Sequence, residues 1–158
     1  MERCISMIVR RFGWLFVLFV LLESSNLSAD TTRTLVLATG ANSKVPALSI
    51  QEARKLFLGV PLVKEGENPV AILNTSDPLA FQIFLQKIAF MSEHTYEAQT
   101  MSVVFRLGGK RPENYSDLNA LIDALLQTPG AVTYLWEDQI RSNQGLKSVG
   151  VLWQGSPE

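Results

Sequence analysis

Cysteine occurs only once in the 158-residue chain, at Cys4. Cys4 lies before an apolar stretch near the N-terminus, whereas a lipoprotein cysteine would follow such a stretch. We expect this N-terminal segment to be removed after export, which would leave a chain without a thiol. The scarcity of cysteine therefore excludes disulfide bonds, thiolate catalysis and cysteine-ligated metal sites in the remaining sequence.

Histidine is equally rare, and the single one is His94, near a predicted helix start beside Glu93 and Glu97. One histidine among scattered acids lacks the spacing of a metal site. It also lacks the nucleophile and the orienting acid of a catalytic triad. We interpret His94 as a surface residue, and we predict no catalytic residue, no metal site and no cofactor. The sequence does not indicate an enzyme.

Neither sign of charge predominates, because 14 basic and 15 acidic residues give a net charge of −1. The chain contains no block of like charge, no low-complexity run and no repeat at a fixed period. This composition argues against a nucleic-acid partner. The length suits one domain with a sizeable hydrophobic core.

A basic segment and a short apolar stretch open the chain. Arg3, Arg10 and Arg11 precede the stretch Phe12–Leu22, and polar residues follow it. This order is typical of a secretory signal peptide. The apolar stretch has about eleven residues, whereas a membrane-spanning helix needs about 20. We therefore predict cleavage after Ala29, with an uncleaved tether as the alternative.

The predicted organisation is a signal peptide over residues 1–29 and one domain over residues 30–158. Removal of the signal takes away three arginines and two glutamates, which leaves 11 basic and 13 acidic residues. The mature domain would be mildly acidic, would have no membrane span and would be located in the periplasm.

Strand and helix patterns alternate along this domain. The continuous apolar run of the first strand predicts burial on both of its faces, as in a parallel or mixed sheet. The predicted strands are Arg33–Ala38, Val70–Leu73, Ala131–Trp136 and Val149–Trp153. The predicted helices are Ser49–Leu58, a helix that begins after Asp77, Glu93–Val104 and Ser116–Gln127, and the segment Arg106–Asn114 is predicted to be a loop. The alternation indicates an α/β domain, a mixed sheet flanked by helices.

A turn of small polar residues, Thr75, Ser76 and Asp77, joins the second strand to the helix that begins near Pro78. A strand that leads into a helix start presents unpaired backbone N–H groups, which favour anions. We predict these three residues as ligand-binding, and ordinary capping of the helix is the alternative.

Asn42 and Ser43 follow the first strand and are predicted to form a second ligand loop; a solvated connection is the alternative. Ligands of α/β sheets tend to lie at the carboxyl ends of the strands. We therefore expect the segments Thr39–Ser43 and Thr75–Asp77 to share one edge of the sheet.

Gly109, Lys110 and Arg111 form a third candidate loop, in which glycine exposes backbone N–H groups and the two basic side chains supply charge. A flexible surface turn would have the same composition. The glycine spacing, and the lack of Ser or Thr after the lysine, exclude a phosphate-binding P-loop.

Five segments together resemble a known family. In chain order they are ARKLFLG (Ala53–Gly59), PVAILN (Pro69–Asn74), SDPLAFQIFL (Ser76–Leu85), the F-x-x-G-G-x-x-P loop (Phe105–Pro112) and TPGAVTYL (Thr128–Leu135). The order is similar to that of short periplasmic proteins related to the phosphate-binding proteins of ABC transporters. The resemblance implies a single lobe, or a reduced version, of the type 2 periplasmic-binding fold.

The resemblance also implies a ligand and partners. In full-length phosphate binders a Ser-Gly-Thr-like turn opens the helix that holds phosphate, and Thr75, Ser76 and Asp77 match it. Asp77 places a carboxylate where an anion would lie, and Thr133 replaces a glycine of the family pattern. The implied function is binding of phosphate or a similar small oxyanion, with a membrane transporter or an envelope protein as partner. The alternative is a periplasmic interaction or accessory module that uses the fold without ligand capture.

Overall fold

The computed structural model describes residues 32–156. Cys4 and the predicted signal peptide over residues 1–29 lie outside the described residues, so the predicted domain boundary stays a prediction.

Five strands and five helices follow one another along the described part of the chain. In chain order they are β1 (Arg33–Gly40), α1 (Ile50–Phe57), β2 (Val70–Asn74), α2 (Pro78–Ile83) with its π-helical continuation Phe84–Ala89, α3 (Glu93–Leu107), β3 (Glu113–Tyr115), α4 (Leu118–Gln127), β4 (Ala131–Trp136), α5 (Glu137–Arg141) and β5 (Leu146–Gly155). The α/β prediction is confirmed, with every predicted strand and helix present.

The strands form one mixed sheet in the order β3-β2-β4-β1-β5. Strand β2 is parallel to both of its neighbours, β3 and β4. Strand β1 is antiparallel to both of its neighbours, β4 and β5. Since β2 and β4 run in one direction and β1 runs in the other, the ends of β1 and β2 lie at opposite edges of the sheet. The expectation that Thr39–Ser43 and Thr75–Asp77 share an edge is therefore wrong.

Strand β3 lies within and just after the predicted loop Arg106–Asn114. It has three residues, none of them fully buried, and it pairs with Ile72–Asn74 of β2 at the margin of the sheet. A short edge strand held by backbone hydrogen bonds needs no apolar side chains, so its sequence has no strand pattern.

The sheet is buried on both faces at its centre. On β1, Leu35 and Leu37 belong to the larger core cluster, while Ala38 belongs to the smaller one on the other face. On β4, Tyr134 and Leu135 divide between the two clusters in the same way. This period-2 alternation explains the continuous apolar runs, because successive residues of these strands face the two cores in turn.

Aromatic rings fill the larger core. The ring of Phe84 stacks on Tyr134 with 4.6 Å between centroids and an interplanar angle of 5°. Phe57 and Tyr96 meet Phe84 edge to face, at 5.0 and 5.7 Å. The hydroxyl of Tyr96 donates a 2.6 Å hydrogen bond to the carbonyl of Phe57, which joins α3 to the end of α1. These contacts fix the position of α1, whose C-terminal end borders the candidate site.

Candidate functional site

The polar side chains of the Thr75–Asp77 turn already form hydrogen bonds with other residues of the protein. Oδ1 of Asp77 accepts from the backbone N–H groups of Leu79 and Ala80 at 2.9 and 3.1 Å. Oδ2 of Asp77 accepts from Nε1 of Trp136 at 2.7 Å. The carboxylate thus occupies the helix N-terminus, the position that an anion would take.

The two hydroxyls of the turn also have partners within the fold. Ser76 donates its hydroxyl and its backbone N–H to Oδ1 of Asn74, at 2.7 and 3.0 Å. The hydroxyl of Thr75 donates to Oδ1 of Asn114 at 2.7 Å, and so ties the end of β2 to β3. A ligand at this turn would have to displace these bonds.

Arg33 lies at the same edge of the sheet, although no sequence pattern groups it with the turn. Its guanidinium stacks over the ring of Trp136, 3.8 Å from the centroid. It also lies 3.7 Å from a carboxylate oxygen of Asp138. The cation at this edge is therefore already engaged by an aromatic face and an acid.

The loop with Asn42 and Ser43 lies at the opposite edge of the sheet, against Glu67. The hydroxyl of Ser43 and the backbone N–H of Lys44 both donate to Oε2 of Glu67, at 2.7 and 2.9 Å. These hydrogen bonds, the Ser43 hydroxyl first, lower the pKa of Glu67. Asn42, Ser43 and Glu67 line a cavity of about 420 Å³. The Glu67 carboxylate already accepts from donors that a bound anion would need, so this cavity is a poor anion site.

The loop of Gly109, Lys110 and Arg111 packs backbone to backbone against the end of α1. A Cβ atom on Gly109 would lie 2.1 Å from the carbonyl oxygen of Gly59. Gly108 ends α3 in the left-handed conformation, with φ of 67°. Position 109 therefore requires glycine, because only glycine lets the loop backbone lie this close to Gly59. This contact fixes the backbone position of the next residue, Lys110.

Lys110 and Arg111 line a cavity of about 370 Å³ between the end of α1, the start of β2 and the start of β3. Strand β3 pairs with β2 only from Ile72 onward, so Val70 and Ala71 have no neighbouring strand on the β3 side. The cavity occupies this gap. The remaining lining residues are mostly apolar, and the whole set is Leu56, Gly59, Val60, Pro61, Pro69, Val70, Ala71, Ile72, Lys110, Arg111, Pro112, Glu113 and Thr128.

The charged groups of this cavity differ in how they are paired. The Arg111 guanidinium lies 3.5 Å from Glu97, and both side chains are more than half exposed. Glu113 accepts a 3.2 Å hydrogen bond from the hydroxyl of Tyr115. Within residues 32–156, the ammonium of Lys110 has no ion pair and no hydrogen bond. The lining thus carries two cations and one carboxylate, with the charge of Lys110 uncompensated.

The predicted site residues therefore fall into three places. Lys110 and Arg111 share one cavity with Gly109 in the loop that carries them, whereas Asn42 and Ser43 line the other. Thr75, Ser76 and Asp77 lie at the far end of β2. The sequence did not predict the apolar walls of the first cavity, because the same residues would be expected in a core.

Other site types are not found in the described chain. Across residues 32–156, no three His, Cys, Asp or Glu side chains are grouped so that they could hold a metal ion. In the same range, no helix combines the length and the apolar character needed to cross a membrane.

No protein-family model matches the chain, and no curated protein sequence matches it. Solved structures do match its fold. PstS from Borrelia burgdorferi is 14% identical, with a TM-score of 0.51 over 75% of this chain and 47% of that chain. A phosphate-bound structure from Clostridium perfringens, assigned to phosphate ABC transporter substrate-binding proteins, is 10% identical, with a TM-score of 0.51 over 76% of this chain and 45% of that chain.

The chain thus has a partial periplasmic-binding-like fold and spans less than half the length of these structures. The resemblance seen in the sequence is confirmed at the level of the fold. At identities this low, the likeness extends to the fold alone.

Proposed function

We propose that the chain is an exported, periplasmic solute-binding-type domain that binds a small oxyanion, with phosphate as the first candidate. The observation that carries this proposal is the uncompensated ammonium of Lys110 at a cavity of about 370 Å³ that Arg111 also lines. The fold shared with a phosphate-bound protein from Clostridium perfringens supports the choice of phosphate as the first ligand to test.

Binding would be non-covalent, through charge and hydrogen bonds to the oxyanion. Lys110 offers a compact charge, and Arg111 offers a planar set of donors that suits carboxylate and phosphate oxygens. The exposed pair between Arg111 and Glu97 contributes little, so a ligand can compete for the guanidinium. Because Gly109 anchors the loop against Gly59, little of the loop needs to be ordered when the ligand binds.

The geometry favours this loop over the other two candidates. Asp77 fills the helix N-terminus at the Thr75–Asp77 turn. Glu67 takes the donors of Ser43 and Lys44 at the second loop. In the third loop, the ammonium of Lys110 forms no ion pair within residues 32–156, whereas Arg111 lies beside Glu97. Delivery of the bound anion to a membrane transporter is part of the same proposal.

A thermal melt of the purified full chain tests the proposal with phosphate, sulfate and, as the ionic-strength control, chloride. A ligand at 100 times its Kd stabilises the folded state by about 2.7 kcal/mol, which raises the Tm of a domain of this size by roughly 10 °C. We expect phosphate or sulfate to raise the Tm and Lys110→Ala to abolish the rise. Lys87→Ala removes the same charge from an exposed position on the π-helical segment and should leave the rise intact. No rise at millimolar phosphate and sulfate, or the same rise in both variants, would contradict the proposal.

A second function, an interaction module without ligand capture, is favoured by one feature of α3. Met101 and Phe105 lie one helical turn apart on the same face, and Phe105 is 81% exposed. Exposed apolar side chains at this spacing suit contact with a partner protein. Pull-down from a periplasmic extract, with Phe105→Ser beside the unchanged chain, tests this alternative. Loss of a specific partner in the variant would favour it, and recovery of nothing above background would count against it.

A further inference from the structure

We infer that the cavity beside Lys110 binds an organic anion with an apolar body more tightly than it binds an inorganic oxyanion. This inference rests on the proposed function in one respect, the binding of an anion by Lys110 and Arg111. It goes further by naming the class of ligand from the shape and chemistry of the walls.

The lining of the cavity divides into a charged end and apolar walls. Lys110 and Arg111 are consecutive in one loop, whereas the end of α1 and the start of β2 supply Leu56, Val60 and Val70. Inorganic phosphate presents oxygen atoms in every direction. Aliphatic walls cannot donate to those oxygens, and desolvation of a polar group without a partner is unfavourable. A ligand with one charged head and an apolar body satisfies both parts of the lining.

The size of the cavity also suits a ligand larger than an inorganic oxyanion. A volume of about 370 Å³ lies within the range of small-molecule sites, which are mostly apolar with a few placed polar groups. A single inorganic oxyanion would leave most of this space and its apolar walls in contact with water. A short hydrocarbon chain along Val60 and Val70, which are not buried, would remove their apolar surface from water, which is favourable.

The charge of the lining limits the charge that the head of the ligand can carry. Glu113 lines the same cavity as Lys110 and Arg111, so the lining carries a net charge of about +1. A nearby carboxylate repels a second negative charge on the ligand. The balance therefore favours a head with a single negative charge, such as a carboxylate, over a dianionic phosphate.

The experiment is titration calorimetry of the full chain with a series from acetate to butanoate, hexanoate and octanoate. Inorganic phosphate and 1-hexanol serve as the head-only and body-only probes. Each added methylene that enters the cavity should raise the affinity about fourfold, and the rise should stop when the cavity is full. Lys110→Ala should weaken hexanoate binding at least tenfold and should leave the weak binding of 1-hexanol unchanged. Val70→Thr, which nearly keeps the side-chain shape, should flatten the dependence on chain length, and circular dichroism would check that both variants fold.

The outcomes separate this inference from the proposed function. Binding of phosphate that depends on Lys110, without any rise along the carboxylate series, would overturn the inference and leave the proposed function standing. Equal binding of 1-hexanol and hexanoate that Lys110→Ala does not change would overturn both, as would binding of none of the probes. A rise along the series that Lys110→Ala removes would support both the anion site and its apolar body.

Discussion

The indole Nε1 of Trp136 donates a 2.7 Å hydrogen bond to Oδ2 of Asp77, across 59 residues of sequence. The bond joins the end of β4 to the start of α2. It uses the carboxylate oxygen of Asp77 that does not accept from the backbone N–H groups of the helix. Trp136 is fully buried, so its N–H group has no access to water. The Asp77 carboxylate thus caps the helix and also accepts from the buried indole N–H, which explains why an acid lies in this turn.

Replacement of this carboxylate is expected to be more harmful than the loss of an ordinary cap. Asp77→Ala removes the cap, worth about 1 kcal/mol, and leaves the Trp136 N–H unsatisfied, worth about 1–3 kcal/mol more. We expect the free energy of unfolding in urea to fall by about 2–4 kcal/mol. Asp117 caps α4 with one acceptor and is exposed, so Asp117→Ala is the matched control and should cost about 1 kcal/mol. Equal losses in the two variants would mean that the indole bond contributes nothing.

Gly109→Ala is expected to displace the loop that carries Lys110. The new Cβ would lie 2.1 Å from the carbonyl oxygen of Gly59, so one backbone segment must move. Overpacking of this kind typically costs about 1–3 kcal/mol. We expect a lower free energy of unfolding and a weaker Tm response to any ligand that depends on Lys110. Gly108→Asn is the control, since its space is open and asparagine tolerates the left-handed conformation. A normal ligand response in Gly109→Ala would show that the close approach does not position Lys110.

Alkaline pH is expected to destabilise the fold through Tyr96. Burial raises the pKa of the Tyr96 phenol to about 12, above the value of 10 that applies to an unfolded chain. Between these values the unfolded state releases its proton first, so stability is complete below pH 10 and falls as pH rises toward 12. The slope per tyrosine is about 1.4 kcal/mol per pH unit.

Urea unfolding at pH 9, 10.5 and 11.5 measures this slope. Tyr96→Phe removes the titrating group, so its stability should fall less steeply over the same range. The variant should be less stable than the unchanged chain at pH 9, because the hydrogen bond to Phe57 is lost. Parallel curves for the two proteins would contradict the role assigned to the Tyr96 phenol.

Acid pH is expected to loosen the contact between Ser43 and Glu67. The hydrogen bonds from Ser43 and Lys44 lower the pKa of Glu67 below its ordinary value of 4.5. The charged form is therefore favoured in the folded state, so this contact stabilises the fold above pH 4.5 and is lost as pH falls through the lower value. The difference in Tm between the unchanged chain and Glu67→Gln should shrink from pH 6 to pH 3. Glu65→Gln, at an exposed neighbouring position, is the control and should show no such trend.

Local signals in the sequence were sufficient for most of the helices and strands. The spacing of Ser49 and Glu52 is that of a reciprocal helix cap, and in the structure each side chain accepts a hydrogen bond from the other residue's backbone N–H. The continuous apolar run of β1 correctly indicated a strand that is buried on both faces. These features depend on neighbouring residues, whose spacing the chain itself fixes.

Strand direction and strand pairing could not be predicted in this way. The direction of β1 depends on its partners β4 and β5, which are far away in the sequence. Because β1 runs opposite to β2, Asn42 and Ser43 lie far from Thr75–Asp77, contrary to expectation. Strand β3 was missed because backbone pairing, which leaves no pattern in the side chains, holds it in place.

The sequence by itself determined which loop residues are polar, charged or glycine, and so it nominated Lys110 and Arg111 as ligands for an anion. Only the tertiary structure decided which of these groups remain without a partner. It brought Glu67 to Ser43 and Trp136 to Asp77, whereas it placed Lys110 at a cavity with apolar walls from α1 and β2. The physical reason is that the charge and hydration of a side chain depend on its neighbours in space, and the sheet order sets those neighbours.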